Sequence, residues 1–440
     1  MNMKLTRHEQ EMLNGKHGKA KRYAMERLVQ FGIAVEAEEM VEVSMVHFIS
    51  PLLCDPGDLD RGAYELGESD LVRPFIEFDE PVAQCAVCTT EPYLCQVDKY
   101  EEEGYPWNCS GKRLPRKIYD ARVKGYDWAR KNGWVAAESC TIPMHTNIPK
   151  FGEYCACAES SAATYINTML GARTNRENPW TVLLAAYAGV LPKYGTMLDE
   201  NRRARVILEL DDEVRDAMSD PADWAALGAA MAVKSGNRVP AVLNMPRTIS
   251  TTAAKQLTAC VSPGMNDPML HLVGLSPESP TLEAAFGGTI PGNVEKYNLT
   301  MADVRNVYRE LNTAKSDDVQ VVHLGCPHLT FEEVRQIARL IEGRKVKDGV
   351  HLWVQTDTAT YNMAQLHGDA QIIEKAGGKI YHQTCLGMIM ISGWEEKANF
   401  ATNSFKEIKL FGALGQGWMF GTVPDLVNAA VTGRFVSTRW

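Results

Sequence analysis

Long apolar runs are absent from this sequence. No stretch approaches the ~18 consecutive apolar residues that a membrane-crossing helix needs, so no span is expected. A secretory leader is also missing: MNMKLTRHEQEML is polar and helical in pattern, which points to the cytoplasm. Positive charge is not in excess. Lys and Arg number 46 against 55 Asp and Glu, giving a net charge of -9 and a pI near 5.7, and a general nucleic-acid footprint is excluded. The short basic cluster around Arg202, Arg203 and Arg205 is flanked by acids. Neither G-x-G-x-x-G nor G-x-x-x-x-G-K-[ST] occurs, so nucleotide binding through those loops has no basis. Internal repeats, low-complexity tracts and an obvious flexible linker are likewise missing.

Cysteine, by contrast, is plentiful. The chain has 11. An odd number in a reducing compartment makes a disulfide framework a weaker explanation than thiols for a metal or an iron–sulfur centre. In LGCPHLTFEEV, Cys326 follows an apolar β-type run, Val319–Leu324, and precedes a Thr330/Glu333 capping box. It therefore sits in a strand-to-helix loop, as a nucleophile, a metal ligand or a small buried residue. Cys140 follows VAAES and Cys385 ends KIYHQT, so all three occupy the carboxyl ends of expected strands and would share one edge of a parallel sheet. A single cysteine in such a place is more often a small buried hydrophobe. Three fit an iron–sulfur cluster with one iron left open to substrate. A second group, Cys85-x-x-Cys88 with Cys95 and Cys109, is either a structural zinc site or a set of loop thiols. Cys155 and Cys157 read as packing residues at a helix start; Cys54 and Cys260 carry no pattern.

With 440 residues and 45% hydrophobic content the chain buries a large core, in two or three domains. Helices are expected at Leu5–Leu13, Lys19–Phe31, Lys117–Asn132 and Ala156–Met169, and strands at Met40–Ile49, Arg73–Phe78 and Trp134–Ser139. From Val206 onward strands and helices alternate. Strands read at Val206–Leu210, Ala241–Asn244, Leu270–Val273, Val319–Leu324, Leu352–Gln355 and Ile380–His382. Helices read at Asp223–Lys234, Thr251–Cys260, Met301–Leu311, Phe331–Ile341 and Tyr361–Ala376. That rhythm predicts an α/β fold with mostly parallel sheets flanked by helices. The expected regions are 1–200, with a cysteine-rich insertion near 80–112, then 201–315, then 316–440 carrying Cys326 and Cys385.

Two polar constellations accompany the cysteines. GARTNRE places Arg173, Asn175 and Arg176 in one loop, either a carboxylate or phosphate clamp or a solvated loop held by salt bridges. FATNSFKEIK offers Asn403, Ser404 and Lys406, a cluster of the kind usually found in caps and turns.

Several of these segments occur together in one family. CTIPMHTNIPKFGEYCACAESSAATYINTMLGARTNRE, YGTMLDENRR, LGCPHLTFEEVRQIARLIEGR, AGGKIYHQTC and ATNSFK stand in the order seen in the aconitase X family, and the opening MKLTRHEQEMLNGKHGKAKRYAMERLVQFG resembles that family's N-terminus. The resemblance covers most of the chain and is weakest between Asp79 and Ser110. It implies an aconitase-like multidomain architecture and a hydro-lyase. It also implies an iron–sulfur centre (2Fe-2S or 4Fe-4S) on Cys140, Cys326 and Cys385. Arg173, Asn175, Arg176, Asn403, Ser404 and Lys406 would meet a small anionic substrate. Members of the family dehydrate cis-3-hydroxy-L-proline, the expectation adopted for this chain, or mevalonate 5-phosphate. The catalytic serine lies on a small swivelling domain, fused in some members. Here that domain is expected as a separate small subunit, because the chain ends where the large subunit normally does. The alternative from another class is a zinc-stabilised binding or scaffold protein that kept the fold without the chemistry.

The sequence departs from the family at defined places. Asn178-Pro179-Trp180 stands where glycines usually follow GARTNRE, and Met197 where many members have a histidine before LDENR. Glu407-Ile408-Lys409 replaces the usual Ala-His-Tyr, and the insertion bearing Cys85, Cys88, Cys95 and Cys109 has no counterpart.

Overall fold

In the computed structural model the described residues are 3–49, 73–83, 86–88, 127–137, 139–382, 385 and 398–439. Cys54, Cys85, Cys95 and Cys109 lie outside them, as does most of the helix expected over Lys117–Asn132; Cys88 is described in its backbone alone. The zinc expectation for Cys85, Cys88, Cys95 and Cys109 therefore falls outside the described residues.

The first region opens with helices Arg7–Leu13 and Lys19–Ala34. Its strands are β1 (Met40–Glu42), β2 (Met45–Ile49), β3 (Ala86–Cys88), β4 (Val135–Ala136), β5 (Cys155–Cys157) and β6 (Val190–Pro192). The single strand expected over Met40–Ile49 is two. Val43 N–H turns to the Gly189 carbonyl and Ser44 N–H to that of Tyr154, so β1 pairs antiparallel with β6 while β2 runs parallel between β3 and β5. Arg73–Phe78, expected as a strand, is a helix. Phe75 and Phe78, one helical turn apart, both reach Tyr23, and Phe75 stacks on Tyr187 with centroids 4.1 Å apart; this i, i+3 packing outweighs β propensity. The helix expected over Ala156–Met169 begins only at Ser160, where the Glu159 side chain caps it. Cys155 and Cys157 thus lie on the buried strand β5 rather than at a helix start.

The second region builds the parallel sheet β10-β7-β8-β9 from β7 (Val206–Leu210), β8 (Pro240–Leu243), β9 (His271–Leu272) and β10 (Lys296–Leu299). Helices Pro221–Ser235 and Thr251–Val261 cross closely at Gly228, where a Cβ would sit 2.3 Å from the Leu257 carbonyl oxygen. The third region builds the parallel sheet β13-β12-β11-β14-β15 from β11 (Val321–Leu329), β12 (His351–Thr356), β13 (Lys379–Tyr381), β14 (Asn399–Thr402) and β15 (Gly417–Phe420). Gly368, at φ 81°, splits the helix expected over Tyr361–Ala376 into Thr358–His367 and Asp369–Lys375. Among the described residues all the sheet pairings apart from β1–β6 are parallel, and the fold is α/β as expected.

Period-two alternation in the third sheet explains why its strands read as continuous apolar runs. Trp353, Phe400, Trp418 and Phe420 join the core of the second region, with Leu257 and Val261. Their neighbours Val354, Ala401 and Met419 face the opposite way, onto Ile337, Ile341 and Leu426. Both faces are dry, so the sheet holds the carboxyl ends of its central strands rigidly against the second region. Among the described residues no helix is long and apolar enough to cross a membrane.

Asp220 ties two helix starts together. Its carboxylate accepts from Ala222 N–H at 2.9 Å and from Val423 N–H at 3.2 Å, and burial pushes its pKa up to about 7. A carboxyl whose folded pKa is raised contributes stability that is complete below its unfolded pKa and lost as pH rises through the folded value. The protein is therefore expected to lose ~4 kcal/mol from this group between about pH 4 and pH 7, at ~1.4 kcal/mol per unit. In denaturant titrations Asp220→Asn should flatten that pH dependence; an unchanged slope would refute the assignment.

Candidate active site

The cysteines that the sequence singles out face one cavity of about 220 Å³. Cys140, Glu159, Ser160, Cys326, His328, Gln355, Cys385 and Lys406 line it. They do not share one sheet edge, as the strand-end pattern implied. Cys140 lies in the turn beyond β4 in the first region, Cys326 in β11 and Cys385 after β13, so two sheets meet across the cavity. The Cys140 and Cys326 thiols are free.

The Cys326 segment is shaped by its neighbours. Gly325 has φ 146°, and a Cβ there would lie 2.5 Å from the Gln355 Cβ, so only glycine lets β11 turn over β12 at this point. The register with β12 slips between Leu324 and Leu329, and Cys326–Pro327 is a cis bond. Thr330 then caps Phe331–Ile341 with Glu333, as the capping box predicts. Behind this turn Lys255, fully buried, pairs with Glu333 and donates to the His328 carbonyl at 2.9 Å. His328 N–H in turn donates to the Cys140 sulfur at 3.2 Å, so one loop places two of the three cysteines.

Electrostatics in the cavity oppose free thiolates. Burial pushes the Cys140 thiol up to about 12, with the Glu159 charge adding to it; burial, then Glu407, likewise raises Cys326. The countering cation is Lys406, which lowers both. Burial alone would depress the Lys406 ammonium, but Glu159 and the two sulfurs lift it above its ordinary value. Burial likewise disfavours the Glu159 carboxylate, and the Lys406 charge and hydrogen bond overcome it and hold Glu159 below its ordinary value. Lys406 also donates to Ser161 Oγ at 2.9 Å. Three soft sulfur donors around one cavity, with an ammonium beside them to offset thiolate charge, match the donor set of an iron–sulfur centre.

The remaining expected residues divide. Ser404 caps the helix Phe405–Phe411 and hydrogen-bonds the Cys326 thiol from behind. Asn403 is buried beside it, and its amide has no hydrogen-bond partner among the described residues. Arg173, Asn175 and Arg176 are not on this cavity. Arg173 is paired with Asp199 on the wall of a different cavity, and Asn175 is buried, accepting from Thr196 N–H at 2.8 Å. Arg176 donates to the Ser262 and Met265 carbonyls at 2.8 and 2.7 Å. The Asn175 amide is taken up by the protein itself, whereas Arg173 lines the second cavity and Arg176 is exposed, with its bonds made through Nη2.

Sequence reading missed Glu159 and Gln355. Glu159 stands two residues beyond Cys157, a carboxylate at the cap of a small-residue helix, and that position was the available signal. Gln355 left none, for it acts only through its neighbours. Its Oε1 lies 3.2 Å from His323 Nε2 and its Nε2 lies 2.7 Å from His328 Nε2. His323 Nδ1 donates to the buried Glu407 carboxylate, which Thr402 also supplies with a hydrogen bond. His328 Nδ1 meets Ser139 Oγ at 3.2 Å, and Ser139 Oγ meets Thr141 Oγ1 at 2.8 Å. A buried polar chain therefore runs from Glu407 to the Cys140 turn.

Breaking a buried pair strands the surviving partner. Glu407→Ala is expected to lower stability by ~3 kcal/mol. Adding His323→Leu should restore most of that loss, because the stranded imidazole is removed with its carboxylate. Chemical denaturation of the two variants checks this; additive losses would contradict the pairing.

Comparison with known proteins meets this geometry. Family models described as the aconitase X first, second and third domains match residues 2–200, 204–309 and 319–432. The phosphomevalonate dehydratase large subunit of Thermococcus kodakarensis is 29% identical over 428 residues, covering 97% of this chain and 100% of that protein. The cis-3-hydroxy-L-proline dehydratase of Pseudomonas aeruginosa is 27% identical over 433 residues, covering 97% of this chain and 70% of that protein. The crystal structure of Thermococcus kodakaraensis aconitase X in its holo-form superposes with a TM-score of 0.75 at 27% identity, covering 97% of this chain and 100% of that one. With its three regions matched in order and its fold superposed along nearly its whole length, the chain belongs to the aconitase X family.

Proposed function

We propose that this chain is the large subunit of an aconitase X-type hydro-lyase, and that it removes water from a small hydroxy acid in the cysteine cavity. The observation that carries this reading is the convergence of Cys140, Cys326 and Cys385 on one cavity with Lys406. The three cysteines would hold an iron–sulfur cluster (2Fe-2S or 4Fe-4S), which when bound supplies Lewis acidity to a leaving hydroxyl. The chain's own residues supply the rest. Lys406 Nζ, held by Glu159, offers the substrate carboxylate its cation. Gln355 and the Gly325 turn close the floor, and the dry third sheet behind them excludes water. The base that takes the proton next to the carboxylate is assigned to a serine on a separate small, swivelling subunit. The full-length match to relatives named as large subunits supports that partner. The free thiols of Cys140 and Cys326 fit a reducing cytoplasm.

Cis-3-hydroxy-L-proline is the substrate we favour. Among the described lining residues Lys406 is the one full cation, already balanced by Glu159. That suits one carboxylate better than a carboxylate and a phosphate. A second reading, mevalonate 5-phosphate, is favoured by a different observation. The chain spans the whole of the phosphomevalonate dehydratase large subunit but 70% of the cis-3-hydroxy-L-proline dehydratase.

Anaerobic co-purification with a small partner, followed by dehydration assays on both compounds, separates the two. Cys326→Ser is expected to abolish both the iron–sulfur absorbance and dehydration; full cluster content in that variant would sink the ligand assignment. Lys406→Met should reduce dehydration on the order of 10²-fold, as loss of a charged contact in a dry site does. Zinc alone in the purified protein, without iron or sulfide, would favour the scaffold alternative.

A further inference from the structure

We propose that His8, Glu11 and His17 form a binding site for one divalent transition-metal ion of the zinc, nickel or cobalt kind. The site is built at the N-terminus and uses none of the residues of the cysteine cavity. One donor atom from each of the three residues lies within 4.8 Å of the other two. Donors ~2 Å from a common ion stand about 3.3 Å apart in a tetrahedron, so closure needs movements of about 1 Å in side chains that solvent reaches. Two imidazoles and one carboxylate are borderline donors that suit these ions, and water completes the set.

The backbone brings the three together. His8 and Glu11 are i, i+3 on the helix Arg7–Leu13, whose start is locked by the Thr6/Glu9 capping box. His17 returns to that helix through a tight turn. Gly15, at φ 82°, donates to the Met12 carbonyl at 2.9 Å, and Lys16 N–H donates to the Glu11 carbonyl at 3.0 Å. Gly18, at φ 105°, then passes over Glu80, where a Cβ would meet its carboxylate at 2.3 Å. Glu80 accepts from Lys19 N–H at 2.8 Å and from Ala20 N–H at 3.1 Å, pinning the far side of the turn. The result sets the His8 and His17 rings edge to face at 4.6 Å. His17 Nε2 lies 3.7 Å from Glu11 Oε2.

Glu11 divides its two oxygens. Oε1 receives Arg7 at 3.1 Å and Lys16 at 3.3 Å, while Oε2 is turned to His17. The two cations keep the carboxylate ionised and leave one oxygen for an ion, at the cost of some affinity through repulsion. Removing Lys16 should therefore tighten binding rather than weaken it, which a purely structural cluster would not show.

Cobalt(II) alone is the probe, titrated into the purified full-length chain and followed by its visible spectrum. One equivalent is expected to give weak ligand-field bands without sulfur-to-cobalt charge transfer, because no thiol takes part. His8→Ala and His17→Ala should each weaken binding about tenfold or more, and Lys16→Ala should strengthen it. Unchanged binding in the His8→Ala/His17→Ala double variant would overturn the proposal. So would cobalt bands that disappear on thiol alkylation, or a dissociation constant above about 1 mM. None of these readouts involves dehydration, so failure of the reaction assigned above and failure of this site are separable.

Discussion

A buried ammonium holds the centre of this molecule. Lys255 leaves the helix Thr251–Val261 in the second region and reaches Glu333 and the His328 carbonyl in the third. Each charge withdrawn from water costs several kcal/mol unless it is paired and fully hydrogen-bonded. Here Glu333 also accepts from Thr330 N–H at 2.8 Å and from Gln256 at 3.1 Å, so its oxygens are satisfied. The carboxylate that closes the capping box is thus the same one that anchors the neighbouring region. Because His328 N–H then holds the Cys140 sulfur, displacing Lys255 would loosen Cys326 and Cys140 together.

Three of the places where this sequence leaves its family's pattern have local physical explanations. Asn178-Pro179-Trp180 builds a helix start: the Asn178 side chain accepts from Thr181 N–H at 3.0 Å and proline takes the first helical position. Met197 is fully buried, and its carbonyl receives Arg173 at 3.2 Å. Glu407 is the most consequential. It enters a dry position with His323 as partner, and through Gln355 the pair reaches the ring of His328 on the cavity wall. A neutral residue at 407 would leave that chain without its carboxylate end. Its effect on the site is therefore on the orientation of groups already there, not on a new contact to substrate.

The cavity's charge balance follows from depth. Three thiols, Glu159 and Lys406 sit where water is scarce, and each raises or lowers its neighbours in turn. Removing protons from the thiols in such a place needs a positive centre, and the Lys406 ammonium is already paired with Glu159. A bound metal centre is the remaining source of positive charge the donor set invites.

Much of the site was legible before any fold was known. Cys326 with its capping box, Cys140 and Cys385 after apolar runs, and Lys406 in a short polar segment are local patterns, and local patterns survive in sequence. The α/β rhythm from Val206 onward is legible for the same reason. Other features were decided only in three dimensions. Arg173, Asn175 and Arg176 look like one clamp in sequence, but the fold buries Asn175, sets Arg173 on a second cavity and reaches Arg176 to the Met265 carbonyl 89 residues away. Arg73–Phe78 is a helix because Tyr23 and Tyr187 receive its two phenylalanines, a choice that short-range propensity does not contain. Gln355 has no motif at all; its place between two histidines exists only where β11 and β12 lie side by side. The sequence by itself determined which donors are present and which turns carry them. Tertiary structure decided which donors share a cavity, because that depends on contacts between strands and helices far apart in the chain.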